Sequence, residues 1–384
     1  MTSLKGDFEF CSSITKLKKE EWNACIDDDH PFLQYEFLSA LETSNSVSNK
    51  TGWQPHHYVE RGKNNKIIAA CPMYIKSHSF GEYIFDHSWA DAYHRYGIDY
   101  YPKLQSAIPF TPVTGERILL NIKIKEKENK RLRILNNIIY EAKKINVSSL
   151  HFNFISNPKR WANDEKIMIR QGIQFHWKNK NYNSFDEFLN SLSSRKRKQI
   201  KKERNCLKKN NLKVKLLQGD EIKEEHIHFF YKCYLDTTGR KWGSTYLNEK
   251  FFFELLGTFK KKMLLIIAYN NQTMVASALN FTSKTHLFGR LWGGMYEIPF
   301  LHFELCYYQA IDYAIQNKVE VVEAGAQGEH KLQRGYMPKK TWSAHWIKDQ
   351  EFRQAIEKFL DQETQVINSQ KTNLEELTPY KSLD

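Results

Sequence analysis

Three runs decide the fold class: Met263-Leu-Leu-Ile-Ile-Ala-Tyr269, Met274-Val-Ala-Ser-Ala-Leu-Asn-Phe281 and His286-Leu-Phe-Gly-Arg-Leu-Trp292. Short polar turns separate them, so they read as consecutive strands of an antiparallel meander. Downstream, Leu301–Gln316 reads as a helix, Glu320–Ala324 as a strand and Ser343–Ile347 as another. Phe352, Ala355, Ile356, Phe359 and Leu360 fall at i, i+3, i+4, i+7 and i+8, the stripe of an amphipathic helix. Strands alternating with helices predict an α/β architecture.

The same alternation runs upstream. Pro31–Leu41 predicts a helix; Trp53–Glu60, Lys66–Ile75 and Glu82–Asp86 predict strands. Leu132, Leu135, Ile138, Ile139 and Ala142 mark one helical face. Ser149–Ile155 alternates as a strand, Pro158–Arg170 is expected to be helical, and Ile173–Lys178 is again a strand. Ser184-x-x-Glu187 is a capping box. A basic helix is expected from Ser194 to about Lys209, with only Ile200, Cys206 and Leu207 able to bury. Val214–Leu217 then reads as a short strand, and Glu221–Leu235 and Leu247–Phe259 as helices. The polar tail after Asn368 is expected to be loose.

Composition narrows the class. At ~150 residues per domain, 384 residues suggest about two domains. Hydrophobic residues make up 41%, and 24 Phe, 20 Tyr and 9 Trp argue against disorder. Only 17 Gly and 10 Pro exclude collagen-like and low-complexity classes. No apolar run approaches a membrane span, and the first residues lack the apolar core of a signal peptide. Six Cys without a CxxC pair make neither a disulfide framework nor a zinc site. These features together predict a cytoplasmic protein. The net charge is +13, much of it between Arg195 and Lys209, where nine basic residues meet one acid. A basic surface suits nucleic acid, phosphate-bearing substrates or an anionic membrane face.

The specific signatures of P-loop, Rossmann, α/β-hydrolase and zincin sites are absent from the sequence. The strongest local signal is Glu323-Ala-Gly-Ala-Gln-Gly-Glu-His-Lys-Leu-Gln-Arg-Gly-Tyr336. Polar groups there follow a strand end, where α/β sheets form clefts. His330 or Glu329 can accept a proton. Gln327, Lys331 and Arg334 suit an anion or carboxylate. A second signal is Gly289-Arg-Leu-Trp-Gly-Gly294 with Leu301-His-Phe-Glu-Leu-Cys-Tyr307. Arg290 and Trp292 lie on an apolar strand. His302 and Glu304 open a helix, although the helix dipole alone accounts for a Glu there, and a histidine in such a position is more often a hydrogen-bonded core residue than a catalyst. A third, Asp86-His-Ser-Trp-Ala-Asp-Ala-Tyr-His-Arg-Tyr96 with Tyr100, reads as a binding loop or an aromatic-packed connection. The basic run Arg195, Lys196, Arg197 and Lys198 can hold a phosphate backbone, or be a solvated face.

These phrases also carry a resemblance. Trp53-Gln-Pro, Trp89-Ala-Asp-Ala-Tyr-His-Arg95, Pro109-Phe-Thr-Pro-Val-Thr-Gly115 and Ser194-Arg-Lys-Arg-Lys198 are among them. So are Gly289-Arg-x-Trp-Gly293, Leu301-His-Phe-Glu-x-Cys-Tyr-Tyr308 and Glu323-Ala-Gly-Ala-Gln-Gly-Glu-His-Lys331. Together, from about residue 8 to 365, they resemble the Fem-like N-acyltransferases, or peptidoglycan biosynthesis/recognition proteins. The resemblance implies tandem acetyltransferase-like (GNAT-like) domains, each a twisted mixed sheet flanked by helices. On that basis residues 1–182 form a first domain with acceptor binding, 183–218 a basic helical connection, and 219–384 a second domain with the transfer site.

The implied reaction moves an acyl or aminoacyl group to an amine, from acyl-CoA or aminoacyl-tRNA as co-substrate, with no metal. The acceptor is a small-molecule or peptide amine, of peptidoglycan-precursor type, attacking in a cleft between the domains. Catalytic candidates are His330, Glu329, Glu304 and His302. Asp91, His94, Arg95 and Tyr100 are acceptor candidates in the first domain. Arg290, Trp292, Gln327, Lys331 and Arg334 are substrate candidates in the second, and Arg195 to Lys198 are the tRNA candidates. The alternative is a non-catalytic module binding an anionic glycan precursor or RNA on the same fold. The connection Gly294-Met-Tyr-Glu-Ile-Pro299 lacks the glycine pattern whose backbone amides hold the CoA pyrophosphate, which points to a donor other than CoA.

Overall fold

A computed structural model of the chain describes residues 8–161, 164, 166–242, 245–325 and 328–381, and the side chains of all of these except 240–242. The chain forms two compact units. One combines Met1–Gly172 with Lys340–Asn368, the other Ile173–Lys339 with Ser369–Asp384.

In the first unit, Phe8–Cys11, His57–Arg61, Ile67–Cys71 and Leu119–Leu120 make an antiparallel four-stranded sheet. A mixed sheet joins Trp53–Pro55, Tyr74–Lys76, Lys103–Ser106, Ser149–Phe152 and residues 344–347 of the strand Met337–Ile347. Its one parallel pair is Lys103–Ser106 with Ser149–Phe152. A parallel pair needs a long crossover, and the helix Lys127–Lys144 lies within it. Ile134, Leu135, Ile138, Ile139 and Ala142 of that helix share a core with Leu104, Leu150 and Phe152.

The second unit repeats the scheme. The strand order is Leu212–Gln218, Met263–Asn270, Thr273–Thr282, His286–Gly294, Val321–Glu323, then residues 176–178 of the strand Met168–Lys178. The meander expected from the sequence is there, and the one parallel pair is His286–Gly294 with Val321–Glu323. Their crossover is helical from Leu301 to Gln316, with a π-helical turn at Glu304–Tyr308. Such turns recur at functional sites. The helix Glu224–Trp242 crosses the sheet at Gly293, where a Cβ would lie 2.1 Å from the Cys233 carbonyl oxygen. This part of the glycine motif therefore serves packing.

Four local expectations are corrected. Pro158–Arg170 holds only a 3-10 turn at Pro158–Arg160 before the strand Met168–Lys178 begins. Glu82–Asp86 is not a strand; Glu82 and Asp86 instead turn inward to Lys103. The basic helix breaks at Asn205 into Ser194–Arg204 and Cys206–Lys209. The tail is not loose: the helix Gln350–Glu376 runs through it, and Leu374 docks in the second unit's core. Among the described residues no helix is long and apolar enough to cross a membrane.

Candidate active site in the second unit

The parallel ladder ends at the pair Phe288 and Glu323. Beyond it the first strand continues to Gly294, while the second stops. Crevices at the carboxyl ends of parallel strands are where open α/β sheets bind ligands. Two glycines permit the close approach at this point. A Cβ on Gly289 would sit 3.4 Å from the Glu323 carbonyl oxygen, and Gly325 adopts a left-handed φ of +82°.

Around this point the chain gathers polar and aromatic groups. The 3-10 turn Glu329–Arg334 presents His330, whose Nε2 lies 2.9 Å from the Tyr307 hydroxyl. The His302 ring is 6.2 Å from the His330 ring, 5.4 Å from Tyr307 and 4.9 Å from Trp292, centroid to centroid. His302, at the start of the helical crossover, and His330, on the loop after the strand Val321–Glu323, therefore lie side by side. The π-helical turn sets Tyr307 toward His330, and Tyr307 is buried while His330 is exposed. Burial is the main cause holding the Tyr307 phenol protonated.

Three titratable groups sit at the floor. Lys331 is buried and donates to the Gly325 carbonyl at 3.0 Å. Burial, and then the Arg290 charge, bring its ammonium down to about 8, with Cys306 acting the other way. Burial pushes the Glu323 carboxyl up to about 8, opposed only by Arg290. Its Oε2 has no hydrogen-bond partner among the described residues. His176, opposite Glu323 on the neighbouring strand, is held neutral, at about 3, by burial and by His286, Lys339 and Lys331.

Other predicted residues are committed elsewhere. Arg334 forms a buried two-bond pair with Glu203, at 2.8 and 3.1 Å, and stacks over Phe303. Glu304 is fully buried, paired with Arg204 at 3.1 Å and accepting from Gln309 at 2.7 Å. Glu329 is exposed. Gln327 lies outside the described residues. In the first unit, Asp91, His94 and Arg95 are exposed on the helix His87–Arg95, while Tyr100 is buried and donates to Asp86 at 2.6 Å. In the basic helix, Arg195 and Lys198 are exposed, and Lys196 and Arg197 are half-buried.

Sequence reasoning missed Glu203, which looked like a lone acid in a basic run, and Tyr307, which looked like core. It also missed a buried polar face in the first unit. There Lys103 donates to Ser79 and Glu82, both at 2.8 Å, and pairs with Asp86. His151 and His345 meet Nδ1 to Nδ1 at 2.7 Å, each with a serine 2.7 Å from its other nitrogen. The signal was period-two polarity, Ser149-x-His151 and Ser343-x-His345, which ordinarily marks a solvated strand face.

A comparison with curated proteins finds no match. Among solved structures the chain is similar to FemX, with 11% identity over 89% of this chain and 98% of that one, at a TM-score of 0.54. It is also similar to L-PGS from Bacillus licheniformis, with 8% identity, 85% and 94% coverage and a TM-score of 0.51. A third is the C-terminal domain of a putative lysylphosphatidylglycerol synthetase from Agrobacterium fabrum, with 8% identity, 92% and 98% coverage and a TM-score of 0.54. At such identities the likeness is one of fold, a mixed sheet flanked by helices in each unit. The FemAB_like family, described as peptidoglycan biosynthesis/recognition, matches residues 13–382. With that span covered, the chain belongs to the FemAB_like family.

Proposed function

We propose that this protein is an N-acyltransferase that moves an acyl or aminoacyl group to an amine, with the chemistry in the second unit. The observation that carries the reading is the Tyr307–His330 hydrogen bond beside the crevice where the parallel strands part. In the tautomer that donates Nε2–H to the Tyr307 oxygen, Nδ1 is the basic nitrogen of His330. That nitrogen would take the proton an amine must lose as it attacks a carbonyl. Arg290 and Lys331 would stabilise the developing oxyanion or hold an anionic part of the donor. His302 and Trp292 would wall the acyl group. The exposed Asp91, His94 and Arg95 of the first unit remain the acceptor-binding candidates, and the basic helix the candidate for a tRNA donor.

The family description makes a peptidoglycan-type peptide amine the first acceptor to try. The test incubates the purified protein with charged tRNA, and separately with acyl-CoA, plus precursor peptides, and looks for the amide by mass spectrometry. Product that disappears in His330→Gln supports the reading. Product formed equally by that variant would retire His330 as the base. Tight binding of both partners without any product would leave the non-catalytic module.

A further inference from the structure

We propose that Tyr380 is a positioning residue for His330, and that segment 379–381 is a strap holding the loop that carries this histidine. The inference rests on the transfer reading for its catalytic meaning and adds residues that the reading does not use. Backbone pairing builds the strap. The Pro379 carbonyl accepts from the Ser193 amide at 2.9 Å, and the Lys381 amide donates to the Ser191 carbonyl at 3.0 Å. Between these bonds Tyr380 lies opposite Leu192 in an antiparallel bridge. The segment thus runs along the connection between the helices Phe185–Asn190 and Ser194–Arg204. In extended chain successive side chains point to opposite faces, so this pairing also sets the direction of the Tyr380 ring.

That ring reaches the end of the His330 turn. Its hydroxyl donates to the Gly335 carbonyl at 2.9 Å. Gly335 closes the 3-10 turn Glu329–Arg334 with a left-handed φ of +91°. A Cβ there would lie 2.9 Å from the Phe188 ring and 3.1 Å from the Tyr380 hydroxyl, so the two aromatic residues close over the glycine. Burial, and then Tyr182, raise the Tyr380 phenol above its usual range, which keeps it a donor. Lys180 covers the ring at 4.6 Å. On the other side of the glycine, Tyr336 packs edge-on against Tyr307 at 5.4 Å, and Tyr307 meets His330. Arg334, the residue before Gly335, is tied to Glu203 and donates to the His330 carbonyl. The turn is therefore anchored at adjacent residues, to the basic helix through Arg334 and to the strap through Gly335. A reacting side chain keeps its geometry only when supporting hydrogen bonds lock the element beneath it. Here that element is the turn, and Tyr380 supplies one of its locks.

The test reads the imidazole itself and needs no substrate. The full chain, carrying isotope-labelled histidine, is titrated with pH by NMR, and the His330 signals are assigned by their loss in His330→Gln. Tyr380→Phe keeps the ring against Phe188 and removes the hydroxyl. The His330 titration midpoint should move in this variant by about half a pH unit, the size of one hydrogen bond. Tyr307→Phe should move it in the same direction. The double variant should add little to Tyr307→Phe alone, because both changes act through one contact. A residue serving stability alone would lower the thermal midpoint and leave the His330 titration where it was. That result in Tyr380→Phe would overturn the proposal, and so would shifts that simply add in the double variant. Absence of any acyl transfer by the parent protein would retire the transfer reading and leave the positioning of His330 to be decided by the titration.

Discussion

The guanidinium of Arg334 and the carboxylate of Glu203 make two parallel hydrogen bonds, at 2.8 and 3.1 Å, with both side chains buried. The pair ties the basic helix to the loop that carries His330. Tyr308 donates to the same carboxylate, Gln199 donates to it at 2.9 Å, and Arg334 donates to the His330 carbonyl at 2.7 Å. The cation that looked available for substrate is thus a clamp on the loop beneath His330.

Breaking this clamp from one side leaves a buried charge without its partner. Glu203→Gln or Arg334→Met should each cost about 3–5 kcal/mol of stability. The double replacement Glu203→Met with Arg334→Met should cost distinctly less than the sum, because the buried charge is gone. Chemical denaturation of the three variants checks the coupling. Additive losses would show that the pair is not a unit.

Tyr307 should act on the reaction through His330. Tyr307→Phe keeps the ring packed against Tyr336 and Phe303 but removes the hydroxyl oxygen that orients the imidazole. The rate should fall by roughly tenfold to a hundredfold, and the acid limb of the pH profile should move. His330→Gln should lose about 10²–10⁴. A pH profile identical to that of the parent would mean that Tyr307 does not position the base.

Glu323 should make stability depend on pH in an unusual direction. Its carboxyl is raised from 4.5 to about 8, chiefly by burial. The folded state therefore holds a proton that the unfolded state releases between those values, and stability falls as pH rises from about 4.5 to about 8. Glu323→Gln keeps the neutral shape and removes the titration. The variant should gain on the parent across that window, by a few kcal/mol at most. Urea midpoints at pH 5 and pH 8 decide it: an equal difference between the two proteins at both values would place no titrating carboxyl there.

Much of this architecture is legible in the sequence, because apolar periodicity and the turn residues agree for the meander and its following helix. The cluster around His330 is also legible, since polar groups just past a strand end imply a crevice in an α/β sheet. What stays hidden is pairing. Nothing local distinguishes Arg334, spent on Glu203, from Arg290, which faces Glu323 and Lys331 electrostatically. Nothing local shows that Glu304 is neutralised by Arg204, 100 residues away. The buried polar strand face of the first unit reads as solvent-exposed, because period-two alternation does not say which side is covered. The tail after Asn368 reads as loose because its buried anchors, Leu374 and Pro379, give no repeating stripe.

The basic helix is the place to test a tRNA donor. Its exposed cations are Arg195, Lys198, Lys201 and Lys202, with Lys208 and Lys209 on the short helix that follows. Arg204 is not among them: its guanidinium pairs with Glu304 and Asp312 and stacks over Phe185 at 4.3 Å. If the exposed set holds a nucleic-acid backbone, binding should weaken steeply with salt. The log–log slope is about −0.9 per phosphate neutralised on duplex and about −0.7 on single strands. Replacing Arg195, Lys198, Lys201 and Lys202 with Gln should flatten the slope in proportion and weaken tRNA binding at low salt. The helix should survive, since Gln is a good helix former and Ile200 remains buried. Replacing Arg204 instead should destabilise the fold without a matching change in slope, because its charge is already compensated. Titrations of the parent and the four-Gln protein at two salt concentrations separate the readings. Superimposable isotherms would leave a solvated basic face and remove tRNA from the reaction.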